Sequence, residues 1–389
     1  MPERLCIRDC RLYDAPDGAP PVDVLVEQGR IAAIGQHLPL PSDAAVLDAS
    51  GRALAPGFID VHIQGAGGAD VLDGTAEALT TIARTLPQFG ATSFLATTAF
   101  HFDKPNHHLQ VAAGLAGQDL GGANLLGLHL EGPFINPDKR GGMSPTCIGP
   151  ASAKTLNEIL RLTGPTLKMM TVAPELPGVA PLVRELVAAG VICSFGHSAA
   201  TYEQALQGFS AGMGHVTHLF NAMGQFHHRD PGPLPAIVES PHVTAQLIAD
   251  GVHVHPAAVR LAWKLLGPTR LVLITDGIQA MGLPEGRYLY NGREYESREG
   301  IARYLDGTLI GTAVGLNRLV CRLQQFTGCS LKEAIEAASV NPARVLGLEG
   351  KGTLAVGKDA DLVLLGDDCE VWATMVGGKV RFQKDSHSP

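Results

Sequence analysis

Apolar residues along this chain fall into two alternating kinds of stretch. Short, nearly unbroken apolar runs occupy residues 57–63, 91–98, 124–131, 167–173, 191–197, 214–218, 244–249 and 270–276. A strand buried on both faces reads this way. Between most of these runs lie longer stretches in which apolar residues recur every three or four positions: Ala76–Phe89, Pro105–Gly117, Ala151–Leu162, Val179–Ala189, Thr201–Phe209 and Pro256–Leu266. That spacing predicts helices. Two more, Ala313–Thr327 and Leu331–Ala338, follow the eighth run. Alternation of this kind implies parallel strands joined by crossover helices.

Eight repeats of strand and helix predict an α/β fold, a (β/α)8 TIM barrel. The alternative is an open, doubly wound sheet. It would be expected to carry a dinucleotide turn after its first strand, and Gly65-Ala66-Gly67-Gly68 lacks that spacing. The two ends of the chain read differently. Leu5-Cys6-Ile7, Val22–Val26 and Arg30–Gly35 are strand-like and punctuated by Gly and Pro, as are Ala360–Leu365 and Glu370–Val376. Neither end alone has enough apolar surface for a core. Together they predict one small β-sandwich domain made of residues 1–54 plus 352–389, bracketing a barrel of residues 55–351.

At 389 residues with 45% apolar content, the chain can bury a sizeable core. No apolar run approaches the ~20 residues of a membrane span. Met1-Pro2-Glu3-Arg4 lacks the basic head and apolar stretch of a signal peptide. The seven cysteines form no Cys-x-x-Cys pair, so reduced thiols in a cytoplasmic protein are expected. A net charge of −8 argues against nucleic acid as a partner. It leaves room for an anionic substrate, because a local cationic pocket can sit in an acidic protein.

The candidate chemistry lies where the apolar runs stop. Glu131 closes the run Leu125–Leu130, and a carboxylate there costs several kcal/mol unless paired or bound to a metal. His62-Ile63-Gln64, His197, His218, Asp250 and Asp276 likewise end runs. A barrel enzyme keeps its catalytic groups at those strand ends. Imidazoles and carboxylates on one rim suit Zn2+ or another divalent first-row ion such as Fe2+, Mn2+ or Co2+. Such an ion with an open position brings the pKa of water down to ~7. Asp276 is then placed as the base that takes a proton from water and the acid that returns it to a leaving group. Each residue alone has a plainer reading: a rim histidine held by hydrogen bonds, Glu131 paired with Arg140, Asp276-Gly277 as a turn. Such residues ending six of eight runs favour a site. His37, His101, His107, His108, His242 and His387 need no role, and His215, at the start of its run, should sit below the site.

Seven segments carry a family resemblance: GFIDVHIQG (57–65), HLEGPF (129–134), GHS (196–198), THLFNAM (217–223), HHRDPG (227–232), IADGVHVHP (248–256) and LITDG (273–277). They resemble the amidohydrolase superfamily and, within it, the N-acetylglucosamine-6-phosphate deacetylase family. The likeness runs from about residue 50 to the C-terminus and includes Asn341–Arg344 and Gly352–Asp361. It implies a barrel with a terminal β-domain. It also implies metal-dependent hydrolysis of N-acetylglucosamine 6-phosphate to glucosamine 6-phosphate and acetate. Residues 226–232 and 278–288 are also similar to N-acetylgalactosamine-6-phosphate deacetylases, and another N-acyl or cyclic amide substrate is a further alternative. By the resemblance, Glu131, His197 and His218 are the metal ligands and Asp276 the acid/base. Asn221 and Ala222 contact the sugar phosphate, and Arg229 and His253 hold polar groups of the substrate. Gly142 and Met143 face it, and Leu309, Ile310 and Gly311 belong to a loop that closes over it. A homodimer is implied as well.

Two departures from the pattern matter. Many amidohydrolases carry His-x-His on the first strand and bind a second metal there, whereas this chain has His62-Ile63-Gln64. A neutral amide oxygen is a poor zinc ligand, so one metal per subunit is expected, with a second at His62 and Gln64 weak or absent. Lys168 lies near the start of the fourth run, the wrong end for a bridging carbamylated lysine. The second departure is Met143, which stands where many relatives carry His or another polar side chain. Methionine cannot donate a hydrogen bond. Either the metal alone polarises the acyl carbonyl or the substrate differs. Arg229 offers a planar fork suited to phosphate, its plainer reading being a salt bridge to Asp230.

Overall fold

Eight parallel strands lie side by side in chain order: Phe58–Ile63, Ala91–Thr98, Asn124–Glu131, Leu167–Val172, Ile192–Phe195, His215–Val216, Thr244–Leu247 and Leu271–Leu273. The structure, a computed structural model, describes residues 4–16, 18–290 and 292–384, so His387 lies outside the described residues. The first and eighth strands meet: Asp276 N–H donates to His62 O at 2.9 Å and Gln64 N–H to Gly277 O at 2.8 Å. The barrel is therefore closed, as the alternation predicts. Its first strand is buried at every position, which explains the unbroken apolar run. Phe58 packs outward among the residues under the helices, and Ile59 and Val61 join Leu95, Met169, Val272 and Ile274 in a separate cluster with Ala343.

The helices begin within three residues of where the sequence predicts, and two of them stop at least two residues early. Ala76–Thr85 is α-helical, and Leu86–Phe89 tightens into a 3-10 turn. Pro87 is the cause, because it lacks an N–H and crowds the preceding turn. His107–Leu115 replaces the longer stretch expected at 105–117. Leu234–Glu239, a six-residue helix after the sixth strand, was not expected. It is too short to show a periodicity.

A second difference bears on the site. Four antiparallel strands, Gly286–Tyr290, Arg293–Arg298, Ile301–Tyr304 and Leu309–Thr312, lie between the eighth barrel strand and the helix Leu316–Thr327. Leu309, Ile310 and Gly311, expected as a loop, thus form an edge strand. Ala302 pairs with Gly311, and Ile310 packs on the cluster of Tyr295 and Tyr304. That pairing closes a hairpin with Ile301–Tyr304.

The chain termini share one further sheet. Strands Ala53–Pro56 and Leu362–Leu365 run antiparallel as neighbours in it, joining the N-terminal strands to Val371–Val376 and Lys379–Gln383. Arg4–Leu12 pairs with Val22–Glu27 through its first residues and with Ala53 and Leu54 through its last two. A register shift between Ile7 and Cys10 accompanies the change of partner. Leu5, Ile7, Val24, Leu54, Leu362 and Met375 form the core of this sheet, separate from the barrel's. Among the described residues, no helix is long and apolar enough to cross a membrane, and all seven cysteines are free thiols.

Candidate active site

Four groups at the carboxyl rim face one another. Glu131 is the last residue of the third strand, while His197, His218 and Asp276 come just after the fifth, sixth and eighth. Each of these three has a left-handed backbone, with φ of 48°, 29° and 50°. Such geometry costs roughly 1–3 kcal/mol per non-glycine residue and persists only where surrounding bonds hold it. Here they do. Asn136 N–H donates to His197 O at 2.9 Å, Asn221 N–H to His218 O at 2.9 Å, and Thr312 N–H to Asp276 O at 3.0 Å. The sharp turns take the side chains out of the strands' alternating pattern.

The side chains converge on Oε1 of Glu131, which lies 3.0 Å from His197 Nε2 and 3.1 Å from His218 Nε2. The two imidazole nitrogens are themselves 3.0 Å apart. His197 Nδ1 is 2.7 Å from Lys139 O, a carbonyl that can only accept. The ring hydrogen of neutral His197 is therefore on Nδ1, and its Nε2 presents a lone pair to a carboxylate oxygen. Lone pairs at this distance repel unless a proton or a cation sits among them. The three ligand atoms lie within 4.8 Å of one another, and this chemistry of one carboxylate and two imidazoles fits a divalent metal ion. Burial works against the charge on Glu131, but His62, His197 and His218 hold its carboxyl well below the usual range.

His62 stands beside this cluster, fully buried. Its Nδ1 is 3.0 Å from Gln246 Oε1, an acceptor, and its Nε2 is 3.5 Å from Glu131 Oε1 and 3.2 Å from Asp276 Oδ1. Burial alone would lower the pKa of this imidazole, but the carboxylates of Glu131 and Asp276 raise it to about 9. Gln246 Oε1 also accepts from His218 N–H at 3.3 Å, so one buried amide touches His62 and His218. Gln64 Nε2 lies 3.2 Å from His62 Nε2 and 2.9 Å from Asp276 Oδ1. Its Oε1 is buried with no partner among the described residues.

A cavity of about 210 Å3 opens over the cluster, with Glu131, His197, His218 and Asp276 in its wall. Gly142, Met143, Asn221, Ala222 and His253 line it as well, and so do Gln64 and the edge strand Leu309–Gly311. Asp250, the strand-end carboxylate that stays out of the cluster, holds His253 instead. Its Oδ2 is 2.6 Å from His253 Nδ1, and its Oδ1 accepts from the backbone of Val252 and His253. His215 lies below the site, its Nδ1 2.6 Å from Thr244 Oγ1. Lys168 points away and donates to Pro165 O. Arg229 is not brought into the cavity. It sits on an exposed stretch with its guanidinium 2.8 Å from the ring of His228, and it does not pair with Asp230.

The wall also holds Asp70, Arg140 and Tyr290, which the sequence did not mark as site residues. Asp70 is 3% exposed, its Oδ1 accepts from Leu72 N–H at 2.8 Å, and its Oδ2 has no partner among the described residues. Burial raises its carboxyl to about 7. The spacing Asp70-x-x-Asp73, which closes a capping box here, was the signal that could have drawn attention to it. Arg140 lines the cavity from the segment after the third strand. Tyr290 reaches it from the inserted hairpins, where burial and the charge of Asp70 hold its phenol well above its usual pKa. Nothing local marks Tyr290.

A closed barrel with a histidine–carboxylate centre at its carboxyl rim defines a class of metal-dependent hydrolases. Residues 53–381 match the sequence pattern described as the Amidohydrolase family, and the chain belongs to that family. Within it the chain is 35% identical to N-acetylglucosamine-6-phosphate deacetylase of Bacillus subtilis (strain 168), an alignment that covers 98% of both chains. It is also 35% identical to N-acetylgalactosamine-6-phosphate deacetylase of Escherichia coli O157:H7, over 91% of this chain and 93% of that one. Among solved structures it resembles a variant of N-acetyl-D-glucosamine-6-phosphate deacetylase from Mycobacterium smegmatis in complex with N-acetyl-D-glucosamine-6-phosphate. The TM-score is 0.87 at 31% identity, covering 98% of this chain and 99% of that one.

Proposed function

We propose that this protein hydrolyses the N-acetyl group of N-acetylglucosamine 6-phosphate, releasing glucosamine 6-phosphate and acetate. The observation that carries the reading is the convergence of His197, His218 and Glu131 within hydrogen-bond distance, in one cavity wall with Asp276. Glu131, His197 and His218 would hold one divalent metal ion per subunit, with Zn2+ first and Fe2+, Mn2+ or Co2+ as alternatives. Such an ion supplies Lewis acidity and acidifies water. Asp276 takes the proton of the attacking water and hands it to the departing nitrogen. Gln64 keeps the Asp276 carboxylate in place through the 2.9 Å bond. Asn221 and Ala222 meet the sugar phosphate, His253, oriented by Asp250, meets a substrate hydroxyl, and Gly142, Met143 and Leu309–Gly311 enclose the acyl and sugar groups.

Arg229 has its role when a second copy covers its stretch of chain. Phe226 beside it is 61% exposed, which supports a homodimer whose contact brings the guanidinium to the phosphate. Residues 1–54 and 352–389 form the small β-domain, and residues 55–351 the catalytic barrel. A cytoplasmic location agrees with seven free thiols.

The 35% identity to the galacto enzyme, matching that to the Bacillus gluco enzyme, keeps N-acetylgalactosamine 6-phosphate as the second reading. Acetate release from both phosphosugars, with metal content measured on the same sample, tests the proposal. The gluco substrate should turn over faster, and Asp276→Asn should lower kcat by roughly 100-fold or more while retaining metal. Metal-loaded protein that is active only on unphosphorylated amides would sink the reading.

A further inference from the structure

The hydrolysis proposed above leaves one demand unmet by the residues assigned to it. Attack of water on the acyl carbon pushes the carbonyl electron pair onto oxygen, and that pair returns as the C–N bond breaks. The water proton passes by way of Asp276 to nitrogen, and the products are acetate and a free amine. A hydrogen-bond donor aimed at the transient oxyanion is worth roughly 100-fold or more in rate. The donor must lie beside the ligand cluster. The segment Lys139–Met143 lies there. Lys139 O is 2.7 Å from His197 Nδ1, a Cβ on Gly141 would stand 3.9 Å from His197 Cε1, and Met143 Sδ is 3.8 Å from where a Cβ on Gly132 would be. Met143 has no donor to offer.

We propose that Arg140 supplies the donor to the acyl oxygen that Met143 cannot. Among the described residues that line the cavity, Arg140 is the one lysine or arginine. It makes no ion pair with a carboxylate among the described residues. Its Nη1 donates to Met143 O at 2.9 Å, which folds the guanidinium back over the segment. A guanidinium carries five N–H groups in a rigid fork. One bond to Met143 O leaves others for a substrate oxygen. The same bond ties Arg140 to the residue whose missing donor it replaces.

The inference rests on the amide-hydrolysis reading, and its test separates the two. Arg140→Ala in the full chain should lower kcat about 100-fold, with KM changed less than about 3-fold and with metal content and Tm retained. Added guanidinium ion should restore part of kcat, and Met143→His in the same background should restore at least about 10-fold. Arg140→Lys, which keeps the charge and loses the fork, should be intermediate and serves if the alanine variant does not fold. An undiminished kcat, a rise in KM alone, or a loss that neither rescue repairs overturns the role of Arg140. Wild-type protein that releases no acetate from any N-acetylhexosamine 6-phosphate overturns the hydrolysis reading and this inference with it.

Discussion

The side-chain nitrogen of Gln64 donates to Oδ1 of Asp276 across 2.9 Å, while its own oxygen is buried with no partner among the described residues. The same nitrogen is 3.2 Å from His62 Nε2. An amide N–H2 cannot ligate a metal, but it can donate to the Asp276 carboxylate. Gln64 therefore fills, with its amide hydrogens, the space between His62 and Asp276 and holds the Asp276 carboxylate in place.

Replacing that amide should reopen the space. Gln64→His presents an imidazole beside His62 and Asp276, and the purified variant should bind close to two metal ions per chain where the parent binds about one. Elemental analysis after dialysis against limiting zinc reads the difference. A ratio that stays near one would show that the surrounding wall, rather than Gln64, excludes the second ion.

Arg229 offers a sharper test of assembly than of chemistry, because it is exposed and its guanidinium rests on the ring of His228 in the single chain. Arg229→Ala should raise KM for the phosphorylated substrate roughly 10-fold, the loss expected for a hydrogen bond to a charged group, and leave turnover of the unphosphorylated sugar alone. Sedimentation at assay concentration should find dimers in the parent. An unaltered KM in a dimeric variant would remove Arg229 from the phosphate site.

Asp70 links the cavity to the pH dependence of folding. Burial raises its carboxyl from an ordinary 3.8 to about 7, so the folded chain prefers it neutral. The associated stability is fully present below about pH 4 and is lost as pH rises through 7, a change on the order of 4 kcal/mol. Asp70→Asn keeps an oxygen for Leu72 N–H and removes the titration. Between pH 5 and 8 the variant should gain Tm over the parent as pH rises, and the two should converge near pH 4. Parallel Tm curves over that range would contradict the burial of the charge.

Much of this protein was legible before any coordinates. Strand and helix differ in period, and period is a local property of sequence, so the (β/α)8 alternation and its order could be read directly. A polar side chain at the end of an apolar run is equally local, which is why Glu131, His197, His218 and Asp276 could be picked out. The resemblance then attached roles to them. What could not be read was anything that depends on residues far apart in the chain. Arg229 fell outside the cavity because its stretch of chain lies exposed. Asp70 and Tyr290 entered the cavity from a turn and a hairpin whose positions are set by packing.

The sequence by itself thus determined the barrel, its open rim and the groups that end its strands, since those follow from periodicity and from the cost of burying polar atoms. Only the tertiary structure decided how those groups face one another. The lone pair of His197 points at Glu131 because Lys139 O accepts the hydrogen on its other nitrogen. Gln64 turns its nitrogen rather than its oxygen toward Asp276. Both are choices of direction, and direction arises from distant partners brought within about 3 Å by the closing of the barrel.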